Sequence, residues 1–398
     1  MANAAQQLVR MLDELGRVTD EPGRLTRTFL SPGMERANLV VGGWMREAGL
    51  TVREDDTGNL IGRLEPQTPD PKSQTLLLGS HLDTVRNAGR FDGALGVLLP
   101  IVALAELKAR GVTLPFAVEV VGFSEEEAVR FTGAYLGSKA FTGRLKAADL
   151  KLTDARGQTL RSVIEAHAGR PFTPPKSAHR PSNLIGYLEV HIEQGPVLED
   201  KKLAVGVVSA IASQTRGRLT FRGKAGHAGT TPMGLRRDAL AGAAEFISFA
   251  EKFAGDRVPL VATVGTINVP SGAANVIPGQ TVLTLDVRHP NDAACRQAVT
   301  QLMAQAQRIA RRRGLAVTWQ PTMQHHATPC SPELTALLAQ SVKSVQGRSL
   351  PLVSGAGHDG VVMATQTPIA MLFVRCRGGL SHHPDEYAAP RISAWHSR

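Results

Sequence analysis

Two apolar runs, 75–78 and 117–123, each break off in polar residues, and an apolar helix pattern from Gly93 to Gly111 joins them. Strands that are apolar almost throughout need cover on both sides, which a parallel sheet flanked by helices provides. This strand–helix–strand run places the chain in the α/β class. It also says where to seek chemistry, because open α/β sheets carry their sites at the carboxyl ends of the strands. The first run closes at Gly79-Ser80 and delivers His81, then Asp83, then Asp92 in a turn bracketed by Gly89, Gly93 and Gly96. The second runs into Glu125, Glu126 and Glu127.

The rest of the chain fits around that unit. Residues 3–17 read as an amphipathic helix, and 35–48 as a second, closed by Gly49. Residues 52–66 read as a hairpin turning at Asp56 to Asn59. A helix over 134–141 precedes a more polar, proline-containing stretch to about Ser182, and a strand over 184–195 carries His191. Residues 214–325 follow a β-α-β-β-α-β pattern, the split βαβ of ferredoxin-like folds. The chain then returns to α/β, with a helix near 332–345, the loop SGAGHDG, the strand 369–376 and the loop RGGLSHHPDE. At 398 residues two domains are the default. The expected organisation is a catalytic α/β domain of 1–213 and 326–398 with a mainly parallel sheet, interrupted by an α+β domain of 214–325.

Composition removes several alternatives. The net charge of +10 invites a nucleic-acid reading. However, the densest basic cluster, Arg308 to Arg313, has no stacking aromatics beside it and reads as a solvated helix face. An anionic small substrate accounts for the charge as economically. No apolar run approaches the roughly 18 residues of a membrane span, and the N-terminus lacks the apolar segment of a signal peptide. Three widely spaced cysteines, Cys295, Cys330 and Cys376, fit a reducing cytoplasm and form no metal knuckle.

The polar residues at strand ends form a set. Three adjacent carboxylates repel one another unless cations neutralise them. His81, Asp92, one or two of the glutamates, His191, and His382 or His383 make five nitrogen and oxygen ligands without a thiolate. Such a set suits two divalent ions bridged by one carboxylate, with Mn²⁺, Zn²⁺ or Co²⁺ admissible. Asp83 is free to orient the His81 imidazole from behind. In the insert, His227 lies in a glycine-bounded turn, and Asn275 and Arg288 end strands. Arginine is the natural clamp for a substrate carboxylate, since its fork binds both oxygens.

Seven segments carry a family resemblance: GSHLDTVRNAGRFDGALGVL, FSEEEAVRF, LEVHIEQGPVLE, GKAGHAGTTPM, NVIPGQ, SGAGHDG and GGLSHHPDE. With them the chain resembles, over nearly its whole length, the dinuclear metallohydrolases of the hydantoinase/carbamoylase branch of the aminoacylase-carboxypeptidase superfamily. The segments VGVVSAIASQTR, SGAGHDG and MLFVRCRGGLSH look most like the plant-type allantoate amidohydrolase subgroup, and N-carbamoyl-L-amino-acid hydrolases share most of the others. The resemblance implies two divalent ions, Mn²⁺ or Zn²⁺, with His81 and His191 each holding one and Asp92 bridging them. Glu127 and His382 would complete the set, Glu126 would be the general base and Asp83 would orient His81. It further implies a homodimer formed through the insert, with His227 stabilising an oxyanion across the dimer interface. Gln214, Asn275 and Arg288 would bind the substrate. The implied reaction is hydrolysis of a ureido C–N bond beside a carboxylate: allantoate first, then an N-carbamoyl-L-amino acid or β-ureidopropionate, with a non-catalytic binding protein as the remote alternative. Three residues depart from the family pattern. Ala128 and Gly360 replace Gly and Ala and are expected to be silent, and His383 replaces a small residue.

Overall fold

The computed structural model describes residues 4–66, 74–174 and 183–388. It forms two compact units, Met1–Ser209 with Cys330–Arg398, and Ala210–Pro329. Part of the expected proline-containing stretch, 175–182, lies outside the described residues.

In the first unit, α1 (Ala4–Leu15) and α2 (Pro32–Glu47) precede the hairpin β1 (Thr51–Glu54) and β2 (Leu60–Leu64). Ser31 caps α2 by accepting from the Met34 N–H at 3.1 Å, with Pro32 at the first helical position. Then come β3 (Thr75–His81), α3 (Ala94–Ala109), β4 (Ala117–Phe123), α4 (Leu136–Phe141), α5 (Leu160–Ala168), β5 (Leu184–Ile192), α6 (Val197–Asp200) and β6 (Val205–Ile211). The central strands run in the order β4-β3-β5-β15, where β15 is Ile369–Val374, and all three of these pairs are parallel. Antiparallel strands extend both margins: β2 and β1 beyond β4, and β6 beyond β15. Leu8, Leu12, Leu15, Met34, Val41 and Met45 of α1 and α2 join Val97, Leu98 and Ile101 of α3 and the strand residues Val118 and Val120 in the main core.

A satellite core draws on the expected helix over 134–141, on the more polar stretch after it and on Phe29 and Phe131 before it. Phe29, Phe131, Leu136, Leu150, Leu160 and Ile164 pack there, and the capped helix α5 is part of it. Strand β6 was missed. Residues 205–222 are one apolar-rich run without a turn signal, yet β6 ends at Ile211 and the next strand starts at Ser213.

In the second unit the elements are β7 (Ser213–Arg222), β8 (Gly226–His227), α7 (Ala239–Gly255), β9 (Val261–Asn268), β10 (Val276–Ile277), β11 (Gln280–His289), α8 (Asp292–Arg312), β12 (Ala316–His325) and β13 (Thr328–Pro329). The long strands and two helices give the β-α-β-β-α-β order. Their antiparallel sheet runs β12-β7-β11-β9, and β8 pairs with β10. Leu219, Phe221, Leu283, Leu285 and Val287 are buried with Phe246, Leu302 and Ile309 of the two helices. The first unit closes with α9 (Pro332–Gln346), β14 (Pro351–Ser354), α10 (Gly360–Met363) and β15. Among the described residues, no helix is long and apolar enough to cross a membrane.

Candidate metal centre

Because β3, β4, β5 and β15 are parallel, their carboxyl ends share one edge of the sheet. His81 is the last residue of β3, His191 the penultimate of β5, the glutamate triplet follows β4, and His382 follows β15. Asp92 sits among them, 5% exposed. Its Oδ1 lies 3.0 Å from His191 Nε2 and 3.6 Å from His81 Nε2. Its Oδ2 lies 3.2 Å from His382 Nε2, which is itself 3.4 Å from Glu127 Oε1. Two triads therefore share one carboxylate: His81, Asp92 and His191 on one side, and Asp92, Glu127 and His382 on the other. In each, one ligand atom per residue lies within 4.8 Å of the others. The two imidazoles expected to serve one ion each instead face the same Asp92 oxygen. Of the adjacent histidines, His382 turns to Asp92, while His383 Nδ1 accepts from the Asp385 N–H at 3.1 Å.

Supporting contacts hold the set in place. Asp83 turns its backbone carbonyl to His81 Nδ1 at 3.0 Å, and its carboxylate accepts from the N–H groups of Glu126 and Glu127 at 3.0–3.1 Å. One residue thus orients both an imidazole and the acidic turn. Behind it, the fully buried Arg27 donates to the carbonyls of Leu15, Val18 and Leu82. Gly93, at φ 65°, makes room for the His81 ring, because a Cβ there would stand 2.4 Å from it. Gly89 makes the same room for Glu386, which accepts from the N–H groups of Phe91 and Asp92.

Several of these residues escape sequence reasoning. Gln194 and Ser381 both donate to Asp92 Oδ2, at 3.1 and 2.9 Å, and Ser381 also donates to Glu386. Glu189, His191 and His358 form a further buried group beneath the centre, with Ser80 donating to Glu189 at 2.7 Å and Ser354 bonded to His358 at 2.8 Å. Its signals in the sequence are a glutamate within the apolar strand LEVHI and His358 within the segment SGAGHDG. Ala128 is not the neutral exchange expected: it holds φ 57°, a left-handed conformation that costs an alanine about 1 kcal/mol more than a glycine.

The electrostatics favour bound cations. Burial, opposed by His81 and reinforced by Glu127 and Asp359, pushes the Glu126 carboxyl well above its usual range. Burial likewise pushes Glu127 up to about 7. Asp92 stays well below the usual range despite burial, because His191, His382 and His81 surround it. The hydrogen bond to Asp92 raises His382 to about 9. Deep burial, imidazole and carboxylate donors, and the shared oxygen pair fit divalent metal ions.

The second unit carries the other expected residues in two pairs. Gln214 and Arg288 are register partners on β7 and β11. His227 on β8 and Asn275 are joined through the Ala228 N–H, which donates to the Asn275 carbonyl at 2.9 Å. The His227 ring is exposed, and its Nδ1 accepts from the Gly229 N–H.

A parallel sheet with a shared-carboxylate pair of His/Asp/Glu triads at its carboxyl edge defines a metallohydrolase-like α/β class. The match to the peptidase family M20/M25/M40 over residues 77–394 makes the chain a member of that metal-dependent family. The chain is similar to an allantoate deiminase of Arabidopsis thaliana, at 40% identity over 96% of this chain and 78% of that one. It is also similar to an N-carbamoyl-L-amino-acid amidohydrolase of a Pseudomonas strain, at 38% identity over 96% and 92%. A hydantoinase/carbamoylase-family amidase structure from Burkholderia multivorans aligns with a TM-score of 0.89 at 32% identity, covering 97% of this chain and 93% of that one.

Proposed function

We propose that this protein is a metal-dependent amidohydrolase that cleaves a ureido C–N bond next to a carboxylate, with allantoate as the first-choice substrate. The observation that carries this reading is Asp92 dividing its two oxygens between two ligand triads. Support for the substrate comes from relatives named allantoate deiminase at 37–40% identity over 96% of the chain.

His81, His191 and Asp92 would hold one ion, and Asp92, Glu127 and His382 the other. Divalent ions at such a pair supply Lewis acidity and water of lowered pKa, near ~7. Mn²⁺ or Zn²⁺ suits the donors, and Co²⁺ is admissible. Glu126 takes the proton from the attacking water and delivers it to the leaving nitrogen. Its backbone N–H, anchored on Asp83, fixes the carboxylate's root. His227 stabilises the developing oxyanion, a role worth roughly 100- to 1,000-fold in rate. Gln214, Asn275 and Arg288 bind the substrate, with the Arg288 fork on its carboxylate. On allantoate the products are ureidoglycine, ammonia and carbon dioxide. Residues 214–325 serve as lid and dimerisation domain, bringing His227 to a partner subunit. The three buried free cysteines support a cytoplasmic location.

The second reading, an N-carbamoyl-L-amino-acid hydrolase, is favoured by relatives of that name at 38% identity. Protein reconstituted with Mn²⁺, Zn²⁺ or Co²⁺ and assayed on allantoate, N-carbamoyl-L-amino acids and β-ureidopropionate decides between them. Allantoate is expected to turn over fastest. Robust turnover of carbamoyl amino acids with none on allantoate would establish the second reading in its place.

A further inference from the structure

On the four-stranded sheet of the second unit, residues alternate between its two faces. Leu285 and Val287 enter the core under α7 and α8, so Asp286 and Arg288 lie on the helix-free face. In register across from them on β7 are Arg216 and Gln214. Asp286 is the only acidic residue in either strand. Its carboxylate gathers four N–H donors: Gln214 Nε2 at 2.7 Å, Arg216 Nε at 2.5 Å, and Arg288 Nε and Nη2 at 3.0 Å each. Arg288 thus grips the carboxylate with two of its five N–H groups. The Gln214 amide is held by its nitrogen.

We propose that Asp286 is a positioning residue, which fixes Gln214 and Arg288 as one preset pair and so sets the spacing at which a ureido acid is gripped. The proposal rests on the reading of Gln214 and Arg288 as substrate-binding groups. Its logic is that of preorganisation. A long arginine and a glutamine on an open sheet face sample many rotamers, and one carboxylate that accepts from both removes that freedom before substrate arrives. A pair held in this way favours substrates that offer an acceptor to each group at fixed separation, as a carboxylate with a neighbouring ureido carbonyl does. Arg216, on the same carboxylate, supplies the second positive charge that keeps Asp286 ionised. Although burial would raise its pKa, Arg288 and Arg216 hold it below the usual aspartate value.

The test is steady-state kinetics of the metal-loaded protein on allantoate and N-carbamoyl-L-alanine, for wild type, Asp286→Asn, Arg288→Ala and the double variant. Asp286→Asn is expected to raise KM about 10- to 100-fold with kcat changed far less, in line with the cost of misplaced binding groups. In the Arg288→Ala background the same substitution is expected to raise KM by a smaller factor than in the wild type, because only Gln214 remains for the carboxylate to orient. Asp286→Glu keeps the charge but displaces the carboxylate, and it too should raise KM. It provides the readout if the asparagine variant does not fold. Wild-type KM in a folded Asp286 variant, with KM raised in Arg288→Ala, overturns the proposal and leaves the substrate-binding reading intact. Unchanged KM in Arg288→Ala, or no turnover of either substrate by wild type, removes that reading and the proposal with it.

Discussion

The buried carboxylates of the first unit are distinguished by what surrounds them. Asp92 is ringed by imidazoles and kept anionic, whereas burial, with Glu127 and Asp359 nearby, pushes Glu126 towards the protonated form. This division suits one group to hold cations and the other to carry a proton. Glu126→Gln is expected to lower kcat about 100- to 10,000-fold while the content of bound divalent metal, measured by elemental analysis, stays at the wild-type value. Loss of metal together with activity would make Glu126 a ligand instead. The main cluster was legible in the sequence because His81, His191 and the glutamates end strands whose apolar runs are unmistakable. Gln194, Ser381 and Glu386 were not, because they act by bonding to Asp92 or its backbone, a relation set by chain crossings. Residues 194 and 382 also adopt positive φ, 55° and 57°, where neither side chain is at ease. Such strain gathers where a site dictates geometry.

At the scale of elements, the parallel core of the sheet and the β-α-β-β-α-β unit followed from hydrophobic periodicity alone. Helix α5 did not. It has only nine residues, and its apolar positions serve a satellite core that Phe29 and Phe131 share from far away in the chain. It is also tied to the rest of the unit through charge. His167, in its last turn, lies 2.9 Å from Glu54 of β1 and 3.8 Å from Glu35 of α2. The hydrogen bond to Glu54, outweighing partial burial, raises the His167 pKa above its usual value. A raised histidine contributes stability that is complete below the unfolded pKa of ~6.5 and disappears as pH climbs through the folded value. For a half-exposed pair the contribution is about 0.5 kcal/mol. Denaturant unfolding from pH 6 to 9 should show this decline in the wild type and a flatter profile in His167→Gln. Equal slopes would remove the pair from the stability account.

For the molecule as a whole, the residues of the candidate metal centre lie entirely within one of the two units. Its candidate ligands run from His81 to His382, on either side of the insertion. Ion binding there would stabilise that unit by mass action, roughly 3–4 kcal/mol at ion concentrations 100 to 1,000 times Kd. Chelation should lower the protection from hydrogen exchange of β3, β5 and β15 while leaving that of β7 and β11 unchanged. A uniform loss across both units would mean that the two unfold as one.

The place of β15 has a consequence in time. It lies between β5 and β6, yet it is made after both of them and after the entire second unit. At about 5–20 residues per second, synthesis leaves that slot unfilled for roughly ten to thirty seconds. Through that interval β5 exposes an apolar edge, and His191 has no completed site to join. A nascent chain paused there carries a finished insert and an open sheet. That intermediate is the form in which a chaperone or a neighbouring chain would meet this protein.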